Sequence, residues 1–143
     1  MSMNNISAVV VNIGGDLVVL GNDNETVQIT NPKASAENDA PLDELRISNK
    51  AVATSGNYRR GELINGHWYS HIVDPRTGVG LTERLQVTVI GRRATDTDAY
   101  ATATCVLGVK RGAALLESQP DLEGVFIWKK GPEAKVFRSQ RSK

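Results

Sequence analysis

The chain has 143 residues and 40% hydrophobic residues, which suits one folded domain with a single hydrophobic core. Its 17 basic and 16 acidic residues nearly cancel, which argues against a nucleic-acid backbone or an anionic membrane surface as the partner. The single cysteine excludes an internal disulfide and a multi-cysteine zinc site, and no stretch approaches the roughly 20 apolar residues of a membrane-spanning helix.

The first part of the chain predicts short strands separated by turns. A valine-rich run at residues 6–13 ends at Gly14-Gly15-Asp16, and an apolar run follows at 17–20, so two strands should pair around a tight turn. The pattern then predicts a strand at 25–30, a loop over the polar residues 31–44, and short strands at 45–47 and 51–53 that lead into Thr54-Ser55-Gly56.

The second part predicts hairpins and helices. Asn65-Gly66 favours two positive φ angles, as a type I′ turn requires, and therefore predicts a hairpin. The expected segments are strands at 61–64, 67–72 and 85–90, a helix at 95–107 that stops at Gly108, a second helix at 110–118, and a closing hairpin of 124–128 and 134–137 around Lys130-Gly131-Pro132. The fold class expected is α+β, a mainly antiparallel sheet with about two helices packed on one face.

Asp98 and Thr102 form the first candidate site. They are four residues apart, so on a helix their oxygens lie on the same face, and together they suit a hard cation such as Mg²⁺. Capping is the alternative, because aspartate and threonine at a helix start usually satisfy free backbone N–H groups, and Asp96 fits that role better than Asp98. Spacing alone favours capping.

A second candidate site lies at residues 69–78, where a predicted strand enters a proline turn. Arg76 suits an anion there, and His71 suits proton exchange, although a strand histidine satisfied by its neighbours explains His71 equally well. A serine-histidine hydrolase is rejected, because Ser70 and His71 point to opposite faces of a regular strand. His67 and His71 share a face, but two histidines are weak evidence for a metal.

Taken in order, four segments resemble the ApbE family of FAD:protein FMN transferases. Asn12-Ile13-Gly14-Gly15-Asp16 is similar to a glycine-rich turn of the family, and Ala53-Thr54-Ser55-Gly56 to its Ala-Thr-Ser-Gly segment. The two specific blocks are Ser70 to Gly78, similar to Ser-His-Ile-x-Asp-Pro-x-Thr-Gly, and Asp98 to Ala103, similar to Asp-Ala-x-Ala-Thr-Ala. The resemblance extends from about Val9 to Phe137.

The resemblance implies FAD bound with Mg²⁺, cleavage of the FAD diphosphate with release of AMP, and transfer of FMN to a threonine of an acceptor protein. Carried over by position, it implies Asp98 and Thr102 as metal ligands and His71 as the residue that assists proton removal. The implied cofactor contacts are Thr54, Ser55, Ile72 and Arg76. It also implies a cell-envelope or periplasmic location, although the chain shows no signal or transmembrane segment.

The family also carries an upstream Gly-Ala-x-x-Lys-Gly segment, after which this chain begins. The chain is therefore expected to be one domain over residues 1–143, equivalent to the C-terminal part of an ApbE-like protein. Apolar surface left open by the missing half predicts self-association. The alternatives to a transferase are a non-catalytic flavin-binding or interaction module and an FAD pyrophosphate hydrolase.

Overall fold

The computed structural model describes residues 6–21, 24–29, 31, 40–58, 60–130 and 133–139. Within these residues the chain forms strands separated by tight turns and a helical region near its C-terminal end. In chain order the elements are β1 (Ala8–Ile13), β2 (Asp16–Gly21), β3 (Glu25–Ile29), β4 (Asp43–Ile47), β5 (Lys50–Gly56), β6 (Gly61–Ile64), β7 (His67–Ser70), β8 (Val73–Asp74), β9 (Val79–Gly80), β10 (Leu85–Gly91), α1 (Ala94–Glu117), β11 (Glu123–Lys130) and β12 (Glu133–Arg138).

A six-stranded antiparallel sheet organises the molecule. Its strand order is β1-β2-β5-β10-β11-β12, and three two-stranded ribbons, β3-β4, β6-β7 and β8-β9, accompany it. Every residue of β10 is buried, because other elements cover this central strand on both faces. The predicted class, a mainly antiparallel α+β fold, is confirmed.

One face of the sheet packs against α1. Leu85, Val87 and Val89 follow the two-residue period of a strand and belong to the core cluster that includes Ala101 and Cys105 of α1. Phe126 of β11 and Leu116 of α1 complete this layer and are both fully buried. The small alanine side chain allows the helix to approach the strands closely.

The other face of the sheet is covered by the β3-β4 ribbon. Val27, Ile29 and Ile47 of the ribbon form a second core cluster with sheet residues that include Val52 and Ile90. The chain is thus a helix, a sheet and a ribbon in three layers, and the ribbon layer was not predicted. β4 also begins at Asp43, inside the predicted loop 31–44, of which residues 32–39 lie outside the described ranges.

The turns predicted at Gly14-Gly15 and Asn65-Gly66 are confirmed, but a turn at Thr54-Ser55-Gly56 is wrong, because these residues pair with β10 and continue β5 to Gly56. Asn65 and Gly66 have φ angles of 50° and 80°, as a type I′ turn requires, and Gly14 and Gly15 join β1 to β2 with φ angles of 64° and 107°. The strand predicted to reach residue 72 ends at Ser70, so the next two residues lie beyond it. Residues 131–132 of the closing turn lie outside the described ranges.

Gly108 interrupts the helical region. Its φ of 76° and ψ of 172° are not helical, so the two predicted helices are two segments of α1 that meet at a bend. A Cβ atom at Gly112 would lie 3.0 Å from the Thr104 side chain, although eight residues of straight helix span about 12 Å. The bend therefore folds the second segment toward the first. No helix of the described residues has the length and apolar character to cross a membrane.

Candidate functional site

A cleft lies where the β1-β2 hairpin diverges from β5. The pairing of β2 with β5 ends at Leu17 and Val52, so the β2-facing edge of Ala53–Gly56 has no ladder partner in the described sheet. The cleft at this edge has a volume of about 250 Å³. It is lined by Gly14, Thr54, Ser55, Gly56, Tyr58, Arg60, His71 and Gln86. Gly14 of the first turn and the Thr-Ser-Gly segment, far apart in sequence, therefore share one site.

Thr54 and Ser55 point to opposite faces of β5. Thr54 pairs with Thr88, and their hydroxyl oxygens are 2.9 Å apart. Ser55 faces the helix, where its Oγ lies 2.8 Å from Oγ1 of Thr102. Asp98 precedes Thr102 by one helical turn, so this contact brings the predicted metal-ligand face of α1 against the cleft-lining strand.

Asp16 adds a second carboxylate to this region. Burial raises the pKa of Asp16, and the negative charge of the nearby Asp98 raises it further. Within the described part of the chain neither of them forms an ion pair with a basic side chain. Carboxylate and hydroxyl oxygens without a counter-cation are the donor set that Mg²⁺ prefers, so Asp98 and Thr102 fit such an ion.

A side-chain cap is not observed at the N-cap of this helix. The N-cap residue is Arg93, whose side chain forms no capping hydrogen bond, and Asp96 lies in the first turn, where the helix dipole favours a carboxylate. Asp96, the better capping candidate, instead lies 3.8 Å from the guanidinium of Arg93 in an exposed ion pair. Asp98 and Thr102 lie farther inside the helix and are exposed, so capping does not account for them.

Among the described residues no cluster of three or more His, Cys, Asp or Glu side chains suits a metal.

His71 lies just beyond β7 and lines the cleft. Its backbone N–H donates to the carbonyl oxygen of Arg60 at 3.2 Å, and its Nδ1 lies 3.1 Å from the same oxygen. A carbonyl only accepts, so Nδ1 carries the proton and Nε2 of the neutral ring keeps its lone pair. His71 can therefore accept a proton at Nε2.

The hydrolase and two-histidine alternatives gain no support from the geometry. The buried Ser70 accepts a hydrogen bond from the backbone N–H of Ile72 at 2.9 Å, while the His71 ring is bound to Arg60. His67 lies at the other end of the hairpin strand, where its Nδ1 is 3.1 Å from the carbonyl oxygen of Asn65. Each group is satisfied locally.

Two predicted cofactor contacts lie apart from the residues that line the cleft. Ile72 is buried in the core cluster on the helix face, and its carbonyl oxygen accepts from Leu81 at 2.8 Å. Arg76 is exposed in the turn after β8 and donates to Asp74 at 2.6 and 2.8 Å, which lowers the pKa of Asp74 to about 2. Both assignments remain predictions.

Sequence reasoning gave no role to Asp16, which lies near the cleft, or to several residues that line it. Asp16 directly follows the turn glycines Gly14 and Gly15, and this position was the only feature of the sequence that could have marked it as a site residue. Tyr58 and Arg60 follow the Thr-Ser-Gly end of β5, Gln86 lies on the neighbouring strand β10, and no local motif marks them. Gln86 reaches the cleft because β10 pairs with β5, and hydrogen bonds from His71 hold the Arg60 main chain there; a linear pattern reveals neither contact.

Comparison with known proteins gives a consistent result. A sequence model of the ApbE family matches residues 1–126. The chain is 34% identical over 125 residues to the FAD:protein FMN transferase of Klebsiella pneumoniae (strain 342), covering 87% of this chain and 38% of that protein. It is 30% identical over 146 residues to the FAD:protein FMN transferase of Escherichia coli (strain K12), covering 100% of this chain and 41% of that protein.

Solved structures share the architecture. The ApbE protein of Thermotoga maritima superposes with a TM-score of 0.77 at 28% identity, over 93% of this chain and 43% of that protein. The apo form of the flavinyl transferase ApbE of Pseudomonas stutzeri gives a TM-score of 0.74 at 25% identity, over 95% and 42%. The chain thus spans about two fifths of the length of these relatives and corresponds to their C-terminal portion. Because the family match covers most of its residues and the sheet-and-helix architecture is shared, the chain belongs to the ApbE family.

Proposed function

We propose that this chain forms part of the active site of a Mg²⁺-dependent flavin transferase that moves FMN from FAD to a threonine of an acceptor protein and releases AMP. The observation that carries the proposal is the contact of Ser55 with Thr102, which joins the oxygen ligands of α1 to the cleft that holds His71. The names of the relatives supply the substrate and the type of transfer.

The reaction forms one bond and breaks one. The threonine hydroxyl oxygen of the acceptor bonds to the FMN phosphorus, and the bond from that phosphorus to the oxygen shared with AMP breaks. AMP leaves with the bond electrons. The hydroxyl proton moves to Nε2 of His71, which the Arg60 carbonyl holds in the required tautomer.

Asp98 and Thr102 are the residues that would hold the metal, with the Asp16 carboxylate beside them. A bound Mg²⁺ supplies neutralisation of the charge on the diphosphate oxygens. The protein's own contribution is to fix the ligands on a packed helix. Ala101 is fully buried against the sheet, which sets the orientation of the helix face that carries both ligands.

A chimera provides the test, because the chain covers only part of its relatives. This chain replaces the aligned C-terminal portion of the Escherichia coli relative, and the product is incubated with FAD, Mg²⁺ and an acceptor protein bearing the target threonine. We expect covalent flavin on the acceptor, seen by fluorescence in a denaturing gel, and an equal amount of AMP. His71→Gln should lower the rate about 100-fold or more through loss of general base catalysis.

His67→Gln is the matched control, since it changes an exposed histidine of the same hairpin outside the cleft. It should leave the rate unchanged. Release of FMN and AMP without labelled acceptor would replace the transferase with an FAD pyrophosphate hydrolase. Binding of FAD without turnover would replace it with a flavin-binding module.

The proposal extends to location and assembly. The family resemblance supports a cell-envelope or periplasmic location, where fractionation of cells expressing the native gene should recover the protein.

Self-association is supported by β1, an edge strand whose Val9, Val10 and Val11 are all exposed by more than 40%. Consecutive residues of a strand point to opposite faces, so both faces of this edge are apolar and open.

A further inference from the structure

Arg60 lines the cleft, and its side chain has no role in the reaction described so far. Its carbonyl oxygen accepts both the backbone and the ring hydrogen bonds of His71, which fixes the Arg60 main chain at the site. Its side chain is exposed, and within the described ranges it forms no ion pair. Arg76 differs, because Asp74 already holds its guanidinium at 2.6 Å. Arg60 therefore provides an uncompensated positive charge in the cleft.

The negative charge of the substrate diphosphate requires a cationic side chain in the cleft. A Mg²⁺ ion held by Asp98 and Thr102, with the Asp16 carboxylate nearby, would have its two positive charges balanced by the two carboxylates. A dinucleotide diphosphate brings one negative charge on each phosphate. The other residues that line the cleft have neutral side chains when His71 is neutral, so Arg60 is the one cationic side chain among the residues found to line it.

We propose that the guanidinium of Arg60 binds the FMN-side phosphate of the substrate, and this inference rests on the proposed function. His71 takes the proton of the attacking hydroxyl, so the attacked phosphorus lies beside His71 and hence beside Arg60. A guanidinium offers two coplanar N–H donors to two phosphoryl oxygens. The pair of hydrogen bonds orients the phosphate, and the positive charge neutralises it. Arg60 is thus a substrate-positioning residue that distinguishes phosphorylated flavin from riboflavin.

Calorimetry with FMN and with riboflavin tests this inference without turnover. Wild type and variants of the chain are titrated with each ligand in the presence of Mg²⁺. Arg60→Gln should weaken FMN binding about tenfold or more, the range for a lost charge-assisted hydrogen bond, and leave riboflavin binding unchanged. Arg60→Lys should recover part of the loss, because the charge remains and the planar pair of donors does not. The backbone carbonyl that orients His71 is the same in all three proteins.

Two further variants make the result specific. Arg92→Gln removes an exposed arginine that pairs with Asp121 and does not line the cleft, and it should bind FMN as the wild type does. Arg76→Gln tests the rival assignment. The proposal is overturned if the wild type does not bind FMN, if Arg60→Gln binds FMN normally, if riboflavin binding falls equally, or if only Arg76→Gln weakens FMN. FMN binding does not require the transfer reaction, so the calorimetric result can still be interpreted if the transferase assay fails.

Discussion

Asn57 connects the cleft-forming strand to its neighbours, and its replacement should destabilise the whole sheet. Its side chain is fully buried. Oδ1 accepts from the backbone N–H of Leu85 at 2.7 Å, and Nδ2 donates to the carbonyl oxygen of Glu83. Its own carbonyl oxygen accepts from the Trp68 indole at 2.9 Å, which ties the β6-β7 hairpin to the same point.

Asn57→Ala leaves the Leu85 N–H and the Glu83 carbonyl oxygen without partners. Each unsatisfied group costs about 1 to 3 kcal/mol when it is buried, so a loss of about 3 kcal/mol in the free energy of unfolding is expected. For a chain of this size that corresponds to a fall in Tm of about 10 °C. Urea unfolding followed by circular dichroism measures the first quantity, and a thermal scan measures the second.

Two companion variants decide whether the hydrogen bonds are the cause. Asn57→Asp keeps the acceptor for Leu85 but loses the donor and buries a charge, so it should destabilise at least as much as Asn57→Ala. Asn24→Ala changes an exposed asparagine and should stay within about 0.5 kcal/mol of wild type. A loss below about 1 kcal/mol for Asn57→Ala would refute the assignment of these bonds as buried and essential.

Four further predictions concern the site and the surface. Asp98→Asn should weaken the Mg²⁺-dependent part of FAD binding at least about tenfold in calorimetry, and an unchanged magnesium requirement would contradict the metal assignment. Cys105 should resist alkylation at pH 8 until urea unfolds the chain, because burial raises the pKa of its thiol to about 12; rapid labelling of the native protein would count against this burial. The hydrogen bonds from Arg76 lower the pKa of Asp74 from 3.8 to about 2, so their stabilisation is complete above about pH 4 and disappears as the pH falls through 2. The stability difference between wild type and Asp74→Asn should shrink over that range, and a difference that grows on acidification would reverse the sign of this argument. Val10→Lys should reduce self-association in sedimentation experiments, and a wild type that stays monomeric at high concentration would remove the basis for it.

Local chemistry made part of this structure predictable. Asn65-Gly66 gave the type I′ hairpin because few residue pairs accept two positive φ angles. The spacing of Asp98 and Thr102 gave their common helix face because the helical period is fixed. These predictions needed only neighbouring residues and the geometry of one element.

Contacts between distant segments were not predictable in the same way. The β3-β4 ribbon forms a layer of the core because its alternating apolar residues meet the second face of the sheet, and nothing in the ribbon's sequence names that partner. The interaction of Asp16 with Asp98 and the bonds from His71 to Arg60 likewise depend on how strands are ordered in space. The sequence marked Gly108 as a stop but did not show that helix resumes directly after it.

The two helical segments on either side of the bend at Gly108 have different roles. The segment before it carries Asp98 and Thr102, whereas the segment after it contributes Leu116, which packs so closely that a Cβ atom at Gly124 would lie 2.3 Å from it. Substitutions after the bend can therefore change the stability of the fold without moving the helical turns that carry Asp98 and Thr102. A designer could graft new packing onto one segment and leave the chemistry of the other intact.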